Sequence, residues 1–178
     1  MEPMVNIALR AARSAGDIIV KASQRIDRLQ INEKSQNDFV TDIDHMAEQE
    51  IIDQLRSAYP DHCFIGEESG TIKGKDSDSQ WIIDPLDGTT NFIRGIPHYA
   101  ISIAFRHKGR IEHAVVYDPI KQEEFTASRG RGAQLNGSRI RVSGLEQPRS
   151  ALYATGIPFS GEPFENMQPY LDCMAALA

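Results

Sequence analysis

Apolar residues recur at intervals of three and four along the first thirty residues, with polar residues between them. This spacing places the apolar side chains on one face of an amphipathic helix. A second stretch repeats the pattern, with Thr41 and Asp44 spaced as a capping pair at its start and Pro60 at its end. Two helices are therefore predicted near the start of the chain. Their apolar positions are Met4, Ile7, Ala8, Ala11, Ala15, Ile18, Ile19, Ala22 and Ile26, and then Ala47, Ile51, Ile52, Leu55 and Ala58.

Two polar stretches follow neither a helical nor a strand period. The first, from Leu29 to Val40, separates the two helices and is predicted to be an exposed loop. The second, from Gly70 to Gln80, is rich in charged and polar residues and is predicted to be a mobile surface loop.

Beyond the second helix the pattern changes to short runs of β-branched and aromatic residues, which are typical of strands. Asn136-Gly137 has the composition of a two-residue hairpin turn. Helices followed by strands favour an α+β fold, with two long helices on a largely antiparallel sheet, over βαβ winding. The predicted strands are Cys63 to Ile65, Trp81 to Ile83, Tyr99 to His107, Ile111 to Tyr117 and Glu124 to Ala127.

The last residues, Met167 to Ala178, have the spacing of a helix that no Gly, Asn or Pro terminates. One interpretation is a chain cut inside a domain; a natural, frayed helical terminus is the alternative. On the first interpretation, residues 1–150 form one α+β domain and residues 151–178 begin a second.

The composition narrows the class of protein. The chain has 178 residues, and its 25 acidic and 19 basic residues give a formal charge of −6. Its apolar runs fall short of the roughly 18 residues that cross a bilayer, and its two cysteines suit a reducing compartment, so a cytoplasmic protein without a signal peptide or membrane contact is expected. The acidic balance argues against nucleic acid as the main partner. Phosphate substrates stay open, because a bound metal can supply positive charge.

The stretch WIIDPLDGTTNF, from Trp81 to Phe92, holds the candidate chemistry. A buried strand ends at Asp84, and Asp87 follows three residues later, so both carboxylates can converge on one point. Gly88 and Thr89 are predicted to begin a helix, whose free N–H groups suit phosphate oxygens. Carboxylates beside a phosphate site require a divalent cation, and oxygen ligands suit Mg²⁺. The alternative is that these aspartates only cap a turn.

Four motifs resemble those of the inositol monophosphatase family, in the superfamily that includes fructose-1,6-bisphosphatases. They are KSQNDFVTDID from Lys34, FIGEES from Phe64, WIIDPLDGTTNF from Trp81 and GRGAQLNG from Gly130. The resemblance runs from about Met4 to the last residue. It implies a sugar-phosphatase-like layered sandwich of helices and sheet.

The resemblance also implies a role for each matching residue. Two or three Mg²⁺ ions would be held by Glu67, Asp84, the carbonyl of Leu86, and Asp87. Leu86 to Thr89 would contact the substrate, with the amides of Gly88 and Thr89 on the phosphate. Thr89 would complete a hydroxyl relay with Glu67 beside the attacking water, and Asp44 resembles an outer acid near that water. Lys34 resembles a loop lysine close to the site, with a solvated surface lysine as the alternative.

The implied function is Mg²⁺-dependent hydrolysis of inositol monophosphate, or of a related sugar or polyol phosphate, by direct attack of water. A homodimer and lithium sensitivity are implied as well. The family carries a further metal-binding aspartate in a Trp-Asp motif, whereas Trp81 is the one tryptophan here. We therefore expect weak or no turnover from these 178 residues alone.

A second hypothesis comes from five arginines with a single acid, Glu146, among them. They could contact RNA or an acidic protein surface, and the resemblance implies that some bacterial members bind the transcription machinery. The alternative is that they protect strand edges from pairing with other chains. The five are Arg129, Arg131, Arg139, Arg141 and Arg149.

Overall fold

The computed structural model describes residues 2–25, 31–35, 38–156 and 167–177, and of residues 31–35, 38–41 and 148 it describes the backbone alone. The chain divides into two compact units, Met1–Lys34 with Asp38–Arg141, and Ser35–Asn37 with Val142–Ala178. The domain boundary expected near residue 150 stays a prediction. Every candidate catalytic, substrate-binding or metal-binding residue lies in the first unit.

The first unit contains three helices and ten strands among its described residues. The helices are α1 Pro3–Ser23, α2 Asp42–Ala58 and the short α3 Thr89–Ile93. A two-stranded sheet pairs β1 Ile31–Ser35 with β2 Asp38–Thr41. The other strands are β3 His62–Gly66, β4 Gly70–Ile72, β5 Asp76–Asp87, β6 Ala100–His107, β7 Arg110–Asp118, β8 Glu123–Ser128, β9 Gly132–Leu135 and β10 Ser138–Ile140.

These eight strands form one sheet in the order β10-β9-β8-β7-β6-β5-β3-β4. Every neighbouring pair is antiparallel except β3 and β5, which run parallel. The predicted meander of β6, β7 and β8 is confirmed, and so is the hairpin between β9 and β10. Its turn residues, Asn136 and Gly137, have φ angles of 49° and 78°, as a type I′ turn requires.

The two long helices confirm the amphipathic pattern. Helix α1 packs on β7 and α2 packs on β5, and the helices also contact each other. Small side chains on α1 let it approach the sheet closely: a Cβ on Gly16 would lie 2.7 Å from the Tyr117 ring. The buried hydrophobic helix positions are Val5, Ala8, Leu9, Ala11, Ala12, Ala15 and Ile19 on α1, and Ile43, Ala47, Ile51, Ile52 and Leu55 on α2.

Both loop predictions are wrong in part. Residues Leu29 to Val40 contain β1 and most of β2, and Gly70 to Gln80 contains β4 and the start of β5. Backbone pairing holds these segments; for example, the amide of Asp76 donates to the carbonyl of Asp61 at 2.8 Å. Hydrogen bonds between backbones do not require apolar and polar residues to alternate, so the sequence pattern gives no sign of these strands.

The second unit contains a 3₁₀ turn, Pro148–Ser150, and helix α4, Met167–Leu177. The prediction of a helix near the end of the chain is confirmed for the described residues. None of the α4 residues is buried. Within the described ranges, no helix combines the length and apolarity that crossing a membrane requires.

Candidate active site

Strands β3 and β5 bring the two acidic motifs together. The strands run parallel with Gly66 opposite Ile83, so the residues that follow, Glu67 and Asp84, lie side by side. The amide of Glu67 donates to the carbonyl of Ile83 at 3.1 Å, which extends the pairing one residue further. Two segments that are separate in the sequence therefore present carboxylates at one edge of the sheet.

Asp84 is a half-buried carboxylate in contact with a second one. Burial, the charge of Glu67, a hydrogen bond with Glu67 and the charge of Asp87 raise the pKa of Asp84 to about 7. The amide of Leu86 donates to Asp84 Oδ1 at 3.1 Å, which opposes that rise. Two carboxyl groups this close favour sharing a proton or binding a cation between them.

Asp87 lies on the same strand beyond an irregularity in its pairing. Asp84 pairs with Ser102 and Asp87 with Ala100, and the register shifts between them. The side chain of Asp87 is exposed. Among the residues that the structure describes, no three His, Cys, Asp or Glu side chains are grouped closely enough to hold a metal ion. The structure thus joins Glu67 with Asp84, and the convergence of Asp87 on the same point stays a prediction.

Thr89 links the aspartate segment to helix α2. Its hydroxyl lies 3.1 Å from Oδ1 of Asp44 and 3.0 Å from the carbonyl oxygen of Leu86. The single hydroxyl proton can be donated to only one of these acceptors at a time. Asp44 is 2% exposed and sits in the first turn of α2. The relay from Thr89 to Glu67 stays a prediction.

Gly88 allows the chain to turn between Asp87 and helix α3. Its φ is 104°, and a Cβ there would lie 3.0 Å from the carbonyl oxygen of His98. Both the positive φ and the close approach favour glycine. Helix α3 begins at the next residue, as predicted, and spans only Thr89–Ile93.

Two hollows border the acids. The first lies on the sheet beside Glu67 and Asp84, and the second lies beside Asp87 and Gly88, so each offers room for a small ligand next to the carboxylates. The first is also walled by Ile65, Ile82, Ser102 and Ala104, and the second by Asn91, His98, Tyr99 and Asp118.

Sequence reasoning did not identify Glu48, a second buried acid on α2. It is 2% exposed, and its carboxylate accepts hydrogen bonds from the amides of Glu68 and Ser69, each at 2.9 Å. A signal was present, because position 48 falls on the helix face that Ala47 and Ile51 define as buried. A charged residue on such a face requires a polar partner.

The remaining predicted residues are less informative. The side chains of Lys34 and of Thr41, the proposed capping residue, lie outside the described residues. Arg131 pairs with Glu2 at 2.6 Å and Arg129 with Glu112 at 3.3 Å, so part of the basic stretch is neutralised.

The donor set suits a hard divalent cation. Glu67, Asp84, Asp87 and the Leu86 carbonyl all offer oxygen donors, the kind that Mg²⁺ prefers. Burial, and then the neighbouring charges of Glu67 and Asp87, raise the pKa of Asp84, and a bound cation would favour its ionised form. The residues present therefore fit the group that the sequence motifs imply.

The chain belongs to the inositol monophosphatase family, whose model matches residues 1–176. It is 56% identical to the protein of Pseudomonas aeruginosa named Nus factor SuhB, over 99% of this chain and 66% of that protein. The chain thus spans slightly less than two thirds of that relative's length.

Solved structures agree with this assignment. Extragenic suppressor protein SuhB from Bartonella henselae matches with a TM-score of 0.93 at 39% identity, over 99% of this chain and 67% of that one. An IMPase/NADP phosphatase complexed with Mg²⁺ and phosphate matches with a TM-score of 0.60 at 29% identity, over 69% of this chain and 48% of that one. The α+β fold of the inositol monophosphatase type is confirmed.

Proposed function

We propose that the protein is a Mg²⁺-dependent phosphomonoester hydrolase acting on inositol monophosphate or a related polyol phosphate. The observation that carries this proposal is the pair of carboxyl groups, Glu67 and Asp84, that two parallel strands bring into contact. Membership of the family and the relative complexed with Mg²⁺ and phosphate support the same reaction class. A homodimer in the cytoplasm belongs to the same proposal.

Four oxygen donors would hold the metal: the carboxylates of Glu67, Asp84 and Asp87, and the carbonyl of Leu86. When bound, Mg²⁺ neutralises phosphate charge and makes a bound water more acidic. The amides of Gly88 and Thr89 would bind phosphate oxygens. Phosphoryl transfer depends mainly on such positioning and charge neutralisation, so no covalent nucleophile is needed.

Thr89 and Asp44 would orient the attacking water. When the Thr89 hydroxyl donates its proton to Asp44, its oxygen lone pairs are free to accept a hydrogen bond from water. Because Asp44 is buried on a helix that packs on the sheet, it holds the hydroxyl in one orientation. Asp44 is therefore a positioning residue in this proposal.

The test is Asp84→Asn, with Asp53→Asn as the control, because Asp53 is an exposed acid on α2 that bonds to Gln49. Because weak turnover at most is expected of these 178 residues alone, the decisive measurement is Mg²⁺ affinity, which Asp84→Asn should lower by at least about 10- to 100-fold, the cost of losing even an indirect support of a metal. Any phosphate release from inositol 1-phosphate should fall with it. Titration calorimetry should show weaker Mg²⁺ binding in the same variant. Equal Mg²⁺ affinity and equal activity in both variants would refute the proposal.

A second function, as a partner of the transcription machinery, is proposed alongside the first. The relative from Pseudomonas aeruginosa is named Nus factor SuhB and is 56% identical to this chain. Arg139 and Arg141 are exposed on and just after the edge strand β10 and offer positive charge to a partner. The two functions do not exclude each other, because these arginines and the acids occupy different strands of the sheet.

A further inference from the structure

Glu48 binds the loop that carries Glu67. Its two carboxylate oxygens take one backbone amide each: Oε2 accepts from Glu68 and Oε1 from Ser69, both at 2.9 Å. A carboxylate that uses both oxygens on consecutive amides fixes the orientation of that backbone as well as its distance.

The glycine before Glu67 makes room for this contact. A Cβ on Gly66 would lie 2.4 Å from Oε2 of Glu48, closer than real Cβ atoms come. The φ of Gly66 lies outside the left-handed region, so an alanine would meet no backbone strain there. The glycine is therefore explained by the carboxylate alone.

We propose that Glu48 is a positioning residue that aims Glu67 at the metal site. The side chain of Glu67 is exposed and hydrogen-bonds with Asp84, and the position of its backbone sets where that carboxylate can reach. That backbone is fixed on both sides: the amide of Glu67 bonds to Ile83, and the next two amides bond to Glu48. This inference rests on the proposed function only in taking Glu67 as a metal ligand.

Helix α2 thereby supports both halves of the site. Asp44 and Glu48 are one helical turn apart and each is 2% exposed. Asp44 accepts the hydroxyl of Thr89 on the aspartate segment, and Glu48 holds the segment of Glu67. A purely apolar face would pack the helix as well, because burying a carboxylate is unfavourable unless it is fully hydrogen-bonded. The hydrogen bonds of Asp44 to Thr89 and of Glu48 to the Glu68 and Ser69 amides thus account for two acids on this buried face.

The first test compares Glu48→Gln with Glu50→Gln. Glu50 lies on the same helix and its carboxylate accepts hydrogen bonds from Ser14 and Gln54, so it is a matched acid away from the loop. Glutamine has one acceptor oxygen, so Glu48→Gln leaves one loop amide without its partner. In metal-free protein, we expect faster hydrogen exchange at Glu68 and Ser69 and lower NMR order parameters from Glu67 to Ser69. We expect Mg²⁺ affinity by calorimetry to fall about 10- to 100-fold. Glu50→Gln should change none of these.

The second test is a double-mutant cycle of Gly66→Ala with Glu48→Ala. In the wild-type background the added methyl displaces the carboxylate, so Mg²⁺ affinity should fall as it does in Glu48→Gln. In the Glu48→Ala background the obstruction is gone, so Gly66→Ala should cause little further loss. Independent effects would multiply instead. Thermal unfolding of each variant confirms that folded protein is being compared.

Two results would overturn the inference: unchanged order of the loop in Glu48→Gln, or a loosened loop with wild-type Mg²⁺ affinity. If the wild-type protein itself fails to bind Mg²⁺, the proposed function fails. The positioning role is then judged on the NMR order parameters of residues 67–69 and on hydrogen exchange at Glu68 and Ser69, which need no metal.

Discussion

At the scale of single residues, Asp84 and Glu48 show two ways in which this fold accommodates a buried carboxylate. Glu48 accepts two backbone amides, so its charge is balanced within the chain. Asp84 accepts one amide and faces Glu67 and Asp87, which raise its pKa together with burial. A carboxylate that the fold leaves undercompensated is the better candidate for binding a cation. In the proposed site, Asp84 would be a metal ligand and Glu48 a residue that positions one.

The protonation of His62 should change the free energy of unfolding with pH, and a substitution of His62 can measure that contribution separately from those of other groups. It is half-buried, stacked on Tyr59 with ring centroids 4.9 Å apart, and its Nδ1 lies 3.1 Å from the indole Nε1 of Trp81. Because the indole can only donate, Nδ1 must be an unprotonated acceptor. Burial lowers the pKa of His62, although the charges of Asp76 and Asp61 partly oppose this.

We therefore predict that His62 destabilises the fold as the pH falls below about 6.5, the ordinary value for histidine. In that range the unfolded chain binds the proton and the folded chain resists it, so the free energy of unfolding decreases with falling pH. Asp84 acts in the opposite direction, because its raised pKa lets the folded chain hold an extra proton. A comparison of His62→Gln with wild type cancels that contribution.

The measurement is urea unfolding from pH 7.5 to 5.5. His62→Gln should lose less stability than wild type over this interval, whatever its stability at pH 7.5. His45→Gln is the control, since His45 is exposed on α2. Parallel curves for wild type and His62→Gln would contradict the prediction.

At the scale of elements, the sequence predicts the helices and turns that depend on the pattern of side chains. It does not predict the strands that depend mainly on backbone hydrogen bonds. The periodic apolar residues of α1 and α2 and the Asn136-Gly137 turn were sufficient, because each is a local side-chain signal. The strands β1, β2 and β4 have only 5, 4 and 3 residues and lie within largely polar stretches, so the sequence predicts them as loops. The same limit applies to Glu48, whose partners are backbone amides 20 and 21 residues away. The acids of the site were found because their motifs are contiguous.

The packing of α2 leads to a prediction for this element. Ile51 is fully buried between the helix and its neighbours, whereas Met46 on the same helix is 54% exposed. Ile51→Ala should reduce the free energy of unfolding by about 2–5 kcal/mol, because it removes buried methylenes and leaves a cavity. Met46→Ala should change it by less than about 0.5 kcal/mol. Urea denaturation at pH 7.5 measures both, and similar losses in the two variants would show that α2 does not pack as described.

At the scale of the whole molecule, charge is distributed unevenly. The chain carries a formal charge of −6, and the candidate site places carboxylates just after β3 and within β5. Toward the edge strand β10, Arg129 and Arg131 are paired with acids, while Arg139 and Arg141 form no ion pair among the described residues. Such arginines can discourage edge pairing or bind a partner. Because β5 and β10 are not neighbours in the sheet, substitutions of Arg139 and Arg141 can test either interpretation without changing the candidate active site.

The two proposed functions should therefore respond to different substitutions. Arg139→Glu with Arg141→Glu should weaken binding to purified bacterial RNA polymerase elongation complexes by about tenfold or more, corresponding to roughly 1.4 kcal/mol. That binding should also weaken with added salt, because exposed charges are screened. Arg110→Glu, at the start of β7, is the control for charge reversal elsewhere on the sheet. Asp84→Asn should retain this binding while losing Mg²⁺ affinity, and the double arginine variant should show the reverse. Binding that charge reversal leaves unchanged would contradict a role of these arginines in partner recognition.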